Sequence, residues 1–140
     1  MIQDDQNTTT SLDLAKIRED IDSVDQQIQQ LINRRAQLAE AVAKAKFAAE
    51  ESPLFYRPER EAQVLRNVMD RNEGPLSDQT MARLFREIMS ACLALEAPQS
   101  IAFLGPVGTY THSAVLKHFG HDALVRPLQT IDEVFREVEA

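Results

Sequence analysis

The strongest pattern in the chain is a series of positions spaced alternately by three and four: Leu14, Ile17, Ile21, Val24, Ile28, Leu31, Arg35, Leu38, Val42 and Ala45. All are apolar except Arg35. Ser11 and Asp13 offer N-caps, and no Gly or Pro follows until Pro53, so the spacing predicts a helix from there to about Glu51 with a heptad seam. A helix of roughly 35 residues is about 50 Å long. The shorter helices that follow cannot cover such a seam alone, so it predicts a partner, most simply a second copy of the chain. Glu51 to Pro58 reads as a loop, and Pro58 suits the first position of a second helix running to about Glu73, with Ala62, Leu65, Val68 and Met69 apolar. Gly74-Pro75 stops it, and Ser77 caps a third helix to about Glu96, with Met81, Leu84, Phe85, Ile88 and Cys92 on its inner face and Pro98 after it.

Beyond Pro98 the pattern changes. Ile101 to Leu104 reads as a short strand, Ser113 to Phe119 as a helix, Ala123 to Val125 as a second strand, and Ile131 onward as a helix. About 40 residues do not close a parallel sheet covered on both faces. The chain therefore reads as a disordered tail (1–10), a helical domain (11–97), and the incomplete opening of an α/β domain (98–140). The expected class is mainly α: a three-helix protomer with one long N-terminal helix, followed by a partial α/β segment.

Composition narrows the function. The chain of 140 residues is 44% hydrophobic and 26% charged, which fits a folded domain. A formal net charge of −7 argues against a nucleic-acid partner held by phosphate contacts. No apolar run approaches the ~18 residues of a membrane span, and the polar, acidic N-terminus is unlike a signal peptide. With Cys92 as the single cysteine, no intramolecular disulfide is available, and the expected compartment is the cytoplasm.

Several charged residues sit where apolar ones belong. Arg35 occupies a seam position, where a guanidinium needs a partner. Lys46 lies eleven residues on, a rotation of about 20° and a rise of about 16 Å, so two long side chains on one side can close on a small anion. Arg18, about 100° round the helix from Arg35, cannot share that pocket in its own chain but can line a partner's. Glu61 and Glu96 place carboxylates on the inner faces of the second and third helices. Each has a plainer reading: Arg35 as a register-setting polar residue, Lys46 snorkelling at a helix end, the two carboxylates paired to Arg60 or Arg83, Cys92 a small buried hydrophobe, Arg57 a solvated loop cation. Their convergence on one helical interior favours a binding site.

In order, IREDIDSVD (17–25), LINRRAQLA (31–39), VAKAK (42–46), YRPERE (56–61) and LFREIMSACLALE (84–96) closely resemble the all-helical chorismate mutases. IAFLGPVGTYTH (101–112) resembles the opening of a prephenate dehydratase domain, and the order resembles the bifunctional chorismate mutase/prephenate dehydratases of phenylalanine biosynthesis. The resemblance implies an intertwined homodimer that rearranges chorismate to prephenate without metal or organic cofactor. It implies that Arg35 and Lys46 hold the substrate in one protomer while Arg18 reaches in from the other. The two arginines bind the carboxylates, Lys46 also bonds the ether oxygen, Glu61 accepts from the ring hydroxyl with Arg60 beside it, and Glu96 faces the ether oxygen. Arg57 falls where an aspartate often meets the substrate hydroxyl, and Cys92 where a serine often meets a carboxylate. Dehydratase activity is not expected, because the rest of that domain, with its threonine motif, is absent here. The competing expectation is a non-catalytic helical dimerisation or regulatory module, which explains the seam but not the convergence of charges.

Overall fold

A computed structural model describes residues 4–49, 55–97 and 99–140, with side chains from Asp13 onward. Its elements are α1 (Asp4–Ala49), α2 (Pro58–Arg71), α3 (Asp78–Glu96), β1 (Ser100–Leu104), α4 (Tyr110–Phe119), β2 (Leu124–Leu128) and α5 (Ile131–Glu139). The chain divides into two compact units, residues 1–35 and 36–140.

The helix α1 starts at Asp4, so residues 4–10 are helical where a tail was expected; residues 1–3 lie outside the described part. The physical reason is an absence of breakers: neither Gly nor Pro interrupts the chain before Pro53. In the first unit the seam residues Leu14, Ile17, Ile21, Val24, Ile28 and Leu31 are 46 to 66% exposed. In the second unit the buried stripe of α1 is Ala39 and Ala43, one residue past the seam positions Leu38 and Val42, which stay exposed.

Pro58 opens α2 as expected, and Arg57 stands at its N-cap. The loop expected over Glu51–Leu54 and the stop expected at Pro98 lie outside the described residues. The α2–α3 turn is locked by Asn72, whose side-chain amide donates to the Leu76 carbonyl and to Asp78 Oδ1, both at 2.8 Å. Ser77 Oγ accepts from Thr80 N at 3.1 Å, satisfying one of the orphan amides of α3. Leu65 and Val68 of α2, and Ala82, Ser90 and Cys92 of α3, are buried. On the expected inner face of α3, Cys92 is buried and Met81, Phe85 and Ile88 are half-buried, while Leu84 is exposed; Ala82 and Ser90 are buried as well, on a helix against which α4 also packs.

In the α/β part, β1 and β2 pair in parallel, from Ser100 opposite Leu124 to Leu104 opposite Leu128. The crossover α4 begins at Tyr110, three residues before the expected start, because Thr109 Oγ1 accepts from His112 N. Phe103 of β1 and Val115 of α4 are buried, and the Phe103 ring stacks on His112 of α4 at 5.3 Å. A capping box between Thr130 and Glu133 starts α5. No helix among the described residues is long and apolar enough to cross a membrane.

Candidate functional site

Arg18 and Arg35 lie in the first unit, Arg18 exposed and Arg35 half-buried. The other six expected site residues lie in the second. Lys46 stands in the last turn of α1, where a cation complements the helix dipole, on the stripe of Ala39 and Ala43. Its Nζ sits 5.1 Å from the centroid of the Phe55 ring, which is itself in tilted contact with Phe47. That placement draws the ammonium over an aromatic face and limits its freedom.

Arg57 and Arg60 are exposed around the first turn of α2, and the Arg57 carbonyl accepts from Arg60 N at 3.1 Å and Glu61 N at 3.0 Å. Cys92 is 4% exposed, a free thiol packed as an apolar residue. Glu96, half-buried, follows it by one turn on α3, so the two share a face.

Glu61 has the most developed surroundings. Its Oε1 lies 4.0 Å from Arg86 Nε, an ion pair linking α2 to α3. Glu61, Arg86, Tyr56, Ser90, Phe119 and Asp122 line a cavity of about 20 Å³, room for about one water molecule. Burial raises the Glu61 carboxyl above the ordinary carboxylate range, opposed by the positive charges of His118 and Arg86. Tyr56 is likewise raised, first by burial and then by the Glu61 charge, with Arg86 opposing. Its hydroxyl lies 3.3 Å from His118 Nε2.

The plainer reading paired the two carboxylates with Arg60 or Arg83; the ion pair that the structure gives Glu61 is with Arg86. Arg86 was not among the expected site residues; it stands midway between Ala82 and Ser90 at a spacing of four, on a stripe that becomes visible only in the structure. The glycine-containing turn after β1 forms a separate cleft of about 520 Å³ with Pro106, Val107, Pro127 and Leu128, at the carboxyl ends of the two strands. Ligands of open α/β sheets bind at such ends.

Comparison with known proteins then places the chain. The pattern of chorismate mutase type II matches residues 17–97, and that of prephenate dehydratase matches residues 101–140. A bifunctional chorismate mutase/prephenate dehydratase of Stutzerimonas stutzeri is 55% identical over 130 residues, 91% of this chain and 36% of that protein. The enzyme of the same name from Pseudomonas aeruginosa is 53% identical with the same coverage. The chain therefore spans 36% of the length of these relatives. A solved chorismate mutase (form II) from Thermus thermophilus superposes with a TM-score of 0.55 at 31% identity, covering 59% of this chain and 92% of that one. With its helical part matched from Ile17 to Ala97, the chain belongs to the chorismate mutase type II family.

Proposed function

We propose that the helical part, residues 11–97, is a chorismate mutase domain that works as an intertwined homodimer. The observation that carries this reading is the match of residues 17–97 to the chorismate mutase pattern, supported by a chorismate mutase of which this chain covers 92%. The exposed seam from Leu14 to Leu31 supports the dimer, since six half-exposed aliphatic residues in register are a surface for a second copy.

The reaction is a Claisen rearrangement: the ether C–O bond breaks as a C–C bond forms, in one pericyclic step without nucleophile or general base. The enzyme's task is to hold a dianion in its compact conformer and to stabilise negative charge growing on the ether oxygen. In this reading Arg35 binds one carboxylate and the partner's Arg18 the other, by forked hydrogen bonds. Lys46 and a protonated Glu96 donate to the ether oxygen from opposite sides. Glu61 accepts from the ring hydroxyl, with Arg60 in the cationic wall. Cys92 packs beside the site, and Arg57 lies at its rim. The buried, unbridged Cys92 suits a reducing, cytoplasmic setting. Residues 101–140 match only the opening of prephenate dehydratase, and no dehydratase chemistry is assigned to them.

The test is loss of the ultraviolet absorbance of chorismate on adding the purified chain, with prephenate identified as product. A folded dimer giving no rate above buffer would establish the non-catalytic dimerisation module instead.

A further inference from the structure

Arg86 joins three helices. From α3, its Nη1 donates to the Lys117 carbonyl of α4 at 3.2 Å, and its Nε faces Glu61 Oε1 of α2 at 4.0 Å. Lys117 is in the last turn of α4, whose final carbonyls lack intrahelical donors and carry the negative end of the helix dipole. A guanidinium is well matched to that end. Its Nε is buried and has no hydrogen-bond partner among the described residues, and the carboxylate it faces is that of Glu61. The close seating of α4 on α3 is made possible by Gly120: a Cβ at that position would lie 2.4 Å from Ser90 Cβ. Beside it, Glu87 Oε1 lies 2.8 Å from His121 Nδ1 and Oε2 accepts from His121 N at 3.2 Å, a second tie between α3 and the end of α4.

We propose that Arg86 is a positioning residue for Glu61, itself fixed by the Lys117 carbonyl, so that the α/β segment acts on the mutase site through one guanidinium. The proposal rests on the mutase reading above. Arg86 aims the carboxylate and favours its charged form, the form that accepts from a substrate hydroxyl. Burial works in the other direction, so without Arg86 the carboxyl would remain protonated to higher pH. The other titratable groups about Glu61 are Tyr56, His118 and Asp122. Among the described residues, Arg86 is the group ion-paired with the Glu61 carboxylate, at 4.0 Å.

The test uses the full chain with Arg86→Gln, Arg86→Lys, Glu61→Gln and the Arg86→Gln/Glu61→Gln double variant, each with its thermal midpoint recorded. Arg86→Gln should lower kcat/KM about tenfold and move its acid limb to higher pH, and Arg86→Lys should return the limb most of the way. The double variant should be no slower than Glu61→Gln alone. Multiplying losses, or an unmoved acid limb in a folded Arg86→Gln protein, would overturn the proposal. Where Arg86→Gln fails to fold, Gly120→Ala, whose added Cβ would press on Ser90 at the α3–α4 contact that seats the Lys117 carbonyl, should shift the limb in the same direction. Titration of the Glu61 carboxyl by carbon NMR separates this proposal from the mutase reading. An inactive parent chain refutes that reading, while the rise of the Glu61 titration in Arg86→Gln, or its absence, still decides the role of Arg86.

Discussion

Gly120→Ala is the sharpest structural perturbation available in this chain, because two independent costs fall on one methyl group. The backbone there has φ +79° and ψ −178°, a region used almost only by glycine, and an L-residue held in it costs about 1–3 kcal/mol. The added Cβ would also lie 2.4 Å from Ser90 Cβ and 2.6 Å from Ser90 Oγ. Carbon atoms pack at about 3.5–4.0 Å, so a shift of more than about 1 Å is required, and overpacking of this kind costs about 1–3 kcal/mol. If α4 moves away instead, the Arg86 bond to Lys117 is lost, and hydrogen bonds to charged groups are worth about 1.5–3 kcal/mol. By either route the chain should lose about 2 kcal/mol or more. With a urea slope of about 1–3 kcal/mol per molar, the unfolding midpoint followed by circular dichroism should fall by about 1 M. Ser90→Gly removes the opposing atoms at its own helix cost of about 0.5–1 kcal/mol. Added to Gly120→Ala, it should recover the steric part and leave the backbone part. A Gly120→Ala protein within about 0.5 kcal/mol of its parent would refute the close α3–α4 seating.

Other expectations follow from the site. If Arg18 acts across the dimer, Arg18→Ala and Arg35→Ala should each abolish chorismate turnover, while co-refolded mixtures recover about a quarter of parental activity under random pairing; no recovery in confirmed heterodimers would remove Arg18 from the site. Glu96→Gln, a donor at every pH, should stay active with a flatter alkaline limb, whereas Glu96→Ala should lose about 10²-fold in turnover, as for deletion of one oxyanion donor. Glu61→Gln should raise the thermal midpoint near neutral pH and not below about pH 4. The sign follows from its raised pKa in the folded chain: the carboxyl favours folding while protonated and loses that contribution as pH rises through the folded value. A midpoint gain that is the same at both pH values would contradict the buried carboxyl.

Local signals in the sequence carried the element order. Pro58 and Ser77 marked the starts of α2 and α3, and the aliphatic run before Gly105 marked β1. Departures arose where a local rule met a longer-range one. The second strand, expected over Ala123 to Val125, runs from Leu124 through Pro127 to Leu128, because a strand in a two-stranded sheet has a free edge. Glu73 extended α2 on paper, but Asn72 ends it by bonding across the turn to Asp78. Of the site, the charges at unexpected positions were visible in helical spacing, and Lys46 and Glu96 were singled out that way. The Arg86–Glu61 pair was not, because the residue that turns Arg86 inward is Lys117, 31 positions away on another element. Periodicity describes one helix at a time and carries no information about such a contact.

Three residues, 97 to 99, separate the last residue of α3 from β1. The first of them is already bonded back to the helix, Ala97 N to the Leu93 carbonyl, and the last is bonded forward, its Gln99 carbonyl accepting from Leu124 N at 2.7 Å. Ala97 and Gln99 are thus each tied to regular structure, unlike the ends of a Gly/Ser-rich linker. Glu96 is the last residue of α3, four positions before β1 begins at Ser100, so the end of the helix and the start of the strand are held close together in the chain. Lengthening this connection by a few glycines would turn it into a tether, leaving the sequence of both parts untouched while uncoupling the end of α3 from the sheet.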